Sequence, residues 1–135
     1  MWDLNVKSTF FLIAESFDLL KKAGIGANIM VISSIASKAP PFMFGVYGMT
    51  KAALDNMVWG LSKELMEEDI RINGVAPGLI MTEFSGNLWK GNTTSNKRSM
   101  GTSEEIGSAV ATICSKDGSF MNGEVYPVHG GFAKL

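Results

Sequence analysis

The feature that most constrains this chain is an alternation between two hydrophobic periods. Segments with apolar residues near helical spacing take turns with short apolar runs rich in branched residues, in the order helix, strand, helix, strand, helix, strand. Continuous apolar runs suit strands buried on both faces, as in a parallel sheet covered by helices. The intervening helices supply the crossovers that parallel pairing needs. The expected fold is therefore α/β, a parallel sheet flanked by helices. No internal repeat or linker interrupts the order, so residues 1–135 read as one unit.

Residues 4 to about 22 carry Leu4, Phe10, Phe11, Ala14, Phe17 and Leu20 near helical spacing and stop at the glycines of AGIGAN. Those glycines follow a helix and open a strand, the reverse of a phosphate-binding turn, and read as a helix stop. Residues 28–33, NIMVIS, are expected to form a strand buried on both faces, after which Pro40 and Pro41 make a loop. A second helix is expected over about 46–66, with Leu54, Met57, Val58, Leu61 and Leu65 on one stripe. Residues 70–78 read as a strand ended by Pro77 and Gly78, and 82–103 as a long polar loop or lid. Thr102 or Ser103 caps a helix with Glu104 and Glu105 in its first turn, and 122–131 supply a turn and a last short strand.

Composition removes several classes of function. A net charge of -1 gives no electrostatic footprint for nucleic acid, and the basic pair Lys97 and Arg98 stands in a polar stretch. Cys114 is the sole cysteine, so it forms no internal disulfide, and no Cys/His grouping has metal-ligand spacing. It reads as a small buried apolar residue, and the nine methionines as core filler. No apolar run approaches the length that spans a bilayer, and MWDLNVKSTFF lacks the arrangement of a signal peptide. The sequon at Asn92 then has no secretory context, and the chain reads as intracellular.

Chemistry concentrates around GVYGMTK. Tyr47 and Lys51 are four residues apart, about one helical turn, so a helix sets phenol and ammonium side by side. An adjacent cation stabilises phenolate and makes a tyrosine a tunable general acid. The same spacing is common on solvated helix faces, so the neighbourhood has to decide. Ser33 and Ser34 close the NIMVIS strand, and APGLIMT ends the next one with Pro77, Gly78, Ile80 and Thr82. In open parallel sheets ligands bind outside the carboxyl ends of the strands, where such groups would gather. His129, in a Gly-rich terminal strand without an acidic partner nearby in sequence, reads as structural.

Taken together, Asn5, the ISS run with Ser34, YGMTK and RINGVAPGLIMTEF resemble the C-terminal half of the short-chain dehydrogenase/reductase family. Ser34 precedes Tyr47 by thirteen residues, the family's habitual interval. The resemblance implies a partial Rossmann-like sheet lacking the N-terminal dinucleotide-binding half. It implies an oxidoreductase that reduces ketones and aldehydes, with retinal among the candidates, using hydride from NADP(H), while NAD(H) stays open. Tyr47 would be the general acid, Lys51 would lower its pKa and hold the nicotinamide ribose, and Ser34 would hydrogen-bond the substrate oxygen. Asn5 would position a helix break and a water of the proton relay. Pro77, Gly78, Ile80 and Thr82 would line the cofactor.

The family pattern also implies a homo-oligomer, or association with full-length relatives through the two long helices. The second of these allows an alternative role as a noncatalytic interaction protein. PGLIMTEFSGNLW and the terminal AKL resemble the family's peroxisomal carbonyl and retinal reductase branch. Ala133, Lys134 and Leu135 would then be a peroxisomal address, with the cytoplasm as the other location. The family's Gly-rich fingerprint would lie ahead of Asn5, so the expectation is a truncated reductase with an exposed NIMVIS edge, poor NADP(H) binding and slow or no turnover alone.

Overall fold

A computed structural model describes residues 1–86 and 100–131. Three parallel strands, β1 (Asn28–Ile32), β2 (Arg71–Pro77) and β3 (Val125–Val128), form one sheet in that order. Helices α1 (Ser8–Ala23), α2 (Gly45–Met66) and α3 (Ser103–Cys114) alternate with them, as the hydrophobic periods require. Because every strand runs the same way, all carboxyl ends meet at one edge of the sheet. The strands expected over 70–78 and within 122–131 are the shorter β2 and β3.

Local signals set the ends of the helices. α1 stops at Gly24, whose φ of 67° suits glycine and whose N–H donates to the Lys21 carbonyl. α3 opens with a capping box. The Thr102 hydroxyl accepts from the Glu105 N–H at 3.3 Å, and the Glu105 carboxylate accepts from the Thr102 N–H at 2.8 Å.

Ile13 of α1, Leu54, Val58 and Leu65 of α2, and Val31, Ile72, Ala76 and Val125 of the strands make the core. Met57 and Leu61 complete the α2 stripe from its half-buried flank. Asn73 and Gly74 look out of place in a buried central strand, but each has a partner. The Asn73 side chain donates to the Met121 carbonyl at 2.8 Å and accepts from the Glu124 N–H at 3.2 Å. A Cβ on Gly74 would meet Val125 at 3.0 Å.

Several expectations need correction. The first helix begins as a π-helical turn, Asp3–Lys7, and its core stripe is Ile13, Phe17 and Leu20. Leu4, Phe10, Phe11 and Ala14 are exposed, because only one narrow stripe of α1 rests on the core. β1 is not buried on both faces: Val31 alone is buried, and Ile32 is 46% exposed. Among the described residues β1 pairs only with β2, which leaves its other edge open. The methionines do not fill the core. Met43, Met49, Met66 and Met81 are exposed, and the buried stripes are already occupied by Leu, Ile and Val. Cys114 is half-buried at the rim of a cleft.

The ends of the 82–103 segment are tied together. Met81 N–H donates to the Gly101 carbonyl at 2.9 Å, and Gly101 N–H to the Leu79 carbonyl at 2.9 Å. The middle of that segment, with Asn92, Lys97 and Arg98, lies outside the described residues, as do Ala133, Lys134 and Leu135. Among the described residues no helix is long and apolar enough to cross a membrane.

Candidate active site

β1 delivers the chain at its carboxyl end to Ser33, Ser34 and a 3-10 turn, Ile35–Ser37. α2 packs its first turns directly on that turn. Gly48 makes the approach possible, since a Cβ there would sit 2.5 Å from the Ala36 carbonyl oxygen and 2.9 Å from Pro40 Cβ. The glycine inside YGMTK thus lets the helix turn that carries Tyr47 and Lys51 close over the end of β1.

Lys51 Nζ donates to the carbonyl of Ile32, the last residue of β1, at 2.8 Å. It also lies 5.7 Å from the centroid of the Tyr47 ring, a distance at which cation and ring attract. Phe44 packs edge-on against the same ring, with centroids 6.1 Å apart. The phenol is half-buried, and among the described residues no hydrogen bond engages it. Burial pushes the Lys51 pKa below the ordinary 10.5, and the Asp55 carboxylate opposes that shift.

Asn5 is held in the π-helical turn, and its side-chain amide donates to the Thr50 hydroxyl at 3.0 Å. Thr50 in turn donates to the Tyr47 carbonyl at 2.8 Å. Asn5 therefore docks the entry of α1 onto the backbone of the Tyr47 turn. Its own carbonyl accepts from the Thr9 hydroxyl at 2.7 Å.

The two serines, alike in sequence, do different work. Ser34 caps the 3-10 turn, accepting from the Ala36 N–H at 3.2 Å, which leaves its hydroxyl hydrogen for a further acceptor. Ser33 does not face a ligand as its place at the strand end suggested. It is buried, and its hydroxyl donates to the Asp55 carboxylate.

At the end of β2, Gly78 lies against β3: its N–H donates to the Val128 carbonyl at 2.9 Å, and a Cβ would meet His129 Cβ at 2.7 Å. Pro77 closes the strand just before it. Ile80 and Thr82 follow in a tight turn in which the Ser85 hydroxyl donates to the Ile80 carbonyl and lies 3.1 Å from the Thr82 hydroxyl. His129 Nδ1 accepts from the Gly131 N–H at 3.2 Å, a local turn contact. Leu79, Ile80, Gly101, Glu105 and His129 line a cleft of about 440 Å³ at this edge of the sheet. A larger cleft of about 810 Å³, lined by Lys63, Arg71, Cys114 and Lys116 among others, opens at the opposite edge, remote from Tyr47.

The structure thus brings Asn5, Ser34, Tyr47 and Lys51 to one end of β1 and α2, with Pro77, Gly78, Ile80 and Thr82 at the neighbouring strand end. Sequence reasoning missed Thr50 and Asp55. Both were visible as polar residues on the Tyr47 helix, three positions after Tyr47 and four after Lys51, and both are buried. Among the described residues no cluster of three metal-ligating side chains exists.

Comparison with known proteins bears on the family and the fold. A family model described as enoyl-(acyl carrier protein) reductase matches residues 1–133. Dehydrogenase/reductase SDR family member 4 of Bos taurus is 37% identical over 136 residues, covering 96% of this chain and 48% of that protein. A short-chain dehydrogenase/reductase (glucose/ribitol dehydrogenase) from Brucella melitensis superposes with a TM-score of 0.88 at 29% identity, over 99% of this chain and 57% of that one. L-Sorbose reductase from Gluconobacter frateurii, solved with NADPH and L-sorbose, gives a TM-score of 0.87 at 26% identity over 99% of this chain and 57% of its own. The chain spans about half the length of the curated relatives it matches.

Proposed function

This chain belongs to the short-chain dehydrogenase/reductase family, and from that premise we propose that the Tyr47 and Lys51 site is the proton-transfer centre of an NADP(H)-dependent carbonyl reductase. The observation that carries the reading is Lys51, anchored at 2.8 Å on the Ile32 carbonyl and held 5.7 Å from the Tyr47 ring centroid. An ammonium fixed there favours the phenolate that remains once Tyr47 has given up its proton.

The residues fit a nicotinamide riboside. Lys51 spends one of its three donors on Ile32, leaving two for the ribose hydroxyls. Pro77, Gly78, Ile80 and Thr82 flank that position with backbone groups and a hydroxyl at the end of β2. Hydride for the carbonyl carbon would come from a bound nicotinamide, and Tyr47 would give its phenolic proton to the carbonyl oxygen. Ser34 donates its remaining hydrogen to the same oxygen as charge develops on it. Asn5, through Thr50, holds the backbone of the Tyr47 turn in place. Ketones and aldehydes, retinal among them, are the substrate class, and parallel titrations with NADPH and NADH decide the cofactor.

Loss of nicotinamide absorbance in the presence of a panel of ketones and aldehydes, compared between the parent chain and Tyr47→Phe, tests the reading. The chain alone is expected to turn over slowly, and whatever turnover it has should disappear in Tyr47→Phe. Turnover that survives Tyr47→Phe sinks it.

A second reading, noncatalytic association with full-length relatives, is favoured by the exposed apolar residues Trp2, Phe10, Phe11, Leu12 and Trp59 of α1, its entry and α2. Homo-oligomerisation would use the same surface. Co-purification with a complete reductase, without turnover by this chain alone, would select it. For location, Ala133, Lys134 and Leu135 support a peroxisomal address where Leu135 is the last residue. Deleting Leu135 should then disperse a tagged protein from puncta, and unchanged puncta would count against the address.

A further inference from the structure

Asp55 is 2% exposed, one helical turn beyond Lys51 on α2. A carboxylate so deeply buried needs hydrogen bonds and an opposite charge to offset its lost hydration. The Ser33 hydroxyl donates to it, and the same hydroxyl lies 3.3 Å from the Lys51 carbonyl. Ser33 is itself fixed in the sheet, since its N–H donates to the Val75 carbonyl at 2.8 Å. The end of β1, the Lys51 turn and the carboxylate therefore form one clasp.

None of the roles assigned above to Tyr47, Ser34 or Asn5 uses this clasp. We propose that Asp55 is a positioning residue for the Tyr47 and Lys51 pair, its Ser33-held carboxylate supplying the countercharge that keeps the Lys51 ammonium charged beside the Tyr47 ring. This role rests on Lys51 being the cation that tunes Tyr47. The groups around Lys51 are consistent with it. Tyr47 presents its ring and β1 the Ile32 carbonyl to the ammonium, the Ser33 hydroxyl just beyond β1 reaches the Lys51 backbone carbonyl, and the Asp55 charge raises the Lys51 pKa against the larger effect of burial.

Amine-reactive labelling of Lys51 in the full chain, followed across pH on its own peptide by mass spectrometry, tests the clasp without reading turnover. A chain that reduces no carbonyl still passes or fails on Asp55 alone. Asp55→Asn keeps an oxygen to accept from Ser33 but removes the charge. Its labelling midpoint should move to lower pH, and below that midpoint Lys51 should react about 3- to 10-fold faster, the tenfold limit being one unit of pKa. Lys22 on α1 serves as the internal control and should not change. A change in accessibility would scale the high-pH plateau, whereas a change in charge moves the midpoint.

A folded Asp55→Asn chain with the parent midpoint overturns the proposal. Where Asp55→Asn does not fold, Ser33→Ala, which keeps the carboxylate but removes the hydroxyl that holds it, is labelled in the same way. Its Lys51 midpoint should also move to lower pH, because the carboxylate is no longer held beside the Lys51 turn. A folded Ser33→Ala chain with the parent midpoint overturns the proposal equally.

Discussion

The two edges of the sheet both carry polar side chains and use them in opposite ways. At the amino edge, Arg71 Nη1 donates to the carbonyls of Gly118 and Met121 at 2.9 Å each and of Ile113 at 3.2 Å. Asn122 accepts from the Ile72 N–H at 2.9 Å, and Asn73 holds both Met121 and Glu124. These groups are spent on one another, joining α3, its following turn and β3 to β2. At the carboxyl edge the scaffold is equally well fixed, but the Tyr47 phenol, the Ser34 hydrogen and two Lys51 donors remain unspent. Saturated polar groups hold a fold together, whereas fixed and unspent ones can act on a ligand. The larger cleft at the amino edge is therefore framed in part by Arg71 and Asn122, which are spent on the fold, whereas the unspent groups gather at the carboxyl edge.

The contrast is sharpest for Tyr47→Phe, which removes an unspent group and nothing the fold relies on. Turnover should fall by about 10²- to 10⁴-fold, the range for loss of a general acid. Urea denaturation should shift by no more than about 0.5 kcal/mol. A loss of stability matching the loss of turnover would erase the distinction between the edges. Arg71→Met asks the reverse question, since it strips one donor group from three carbonyls. A destabilisation of about 3 kcal/mol is expected by urea denaturation, with unchanged turnover per folded molecule. A stable Arg71→Met chain with lost turnover would invert the assignment.

The fold order was legible because helical and continuous apolar periods differ so clearly along this chain, and because Gly24, Thr102 and Glu105 carry end signals in their own chemistry. Burial was less legible. The first helix offered several apolar stripes, and choosing Ile13 over Phe10 depends on which neighbour α1 meets, a long-range fact. β1 looked doubly buried because its residues are apolar, while its exposure follows from which strands pair with it. In the site, the spacing of Tyr47 and Lys51 was enough to put them on one face. The split between Ser33 and Ser34 was not legible, since it depends on a carboxylate 22 residues downstream of Ser33.

Gly48 links the two halves of the comparison, being a packing requirement placed inside the site. Gly48→Ala forces a Cβ toward the Ala36 carbonyl and Pro40, and the backbone of α2 must move away from β1. We expect about 2 kcal/mol of destabilisation in urea. Turnover per folded molecule should also fall, because Tyr47 moves with its helix. Unchanged turnover alongside the lost stability would mean that the site tolerates displacement of its general acid.

The smallest expected effect is a slope with pH that one edge has and the other lacks. Burial disfavours the charged form of Lys51, so the folded chain releases this proton below the ordinary 10.5, where the unfolded chain still holds it. Between the lowered folded value and 10.5 the unfolded state binds more protons, and stability from this group rises with pH. Below that window the cost of the half-buried ammonium is present in full. Tyr126, whose pKa burial and the Glu124 charge push up, contributes in the opposite direction, losing stability as pH rises through the tyrosine range. Subtracting the profile of Lys51→Met from that of the parent removes the Tyr126 contribution, and the difference should climb as pH approaches 10.5. A flat difference would mean that the Lys51 ammonium is as well hydrated in the folded chain as in the unfolded one, and the carboxyl edge would lose its claim to a desolvated cation.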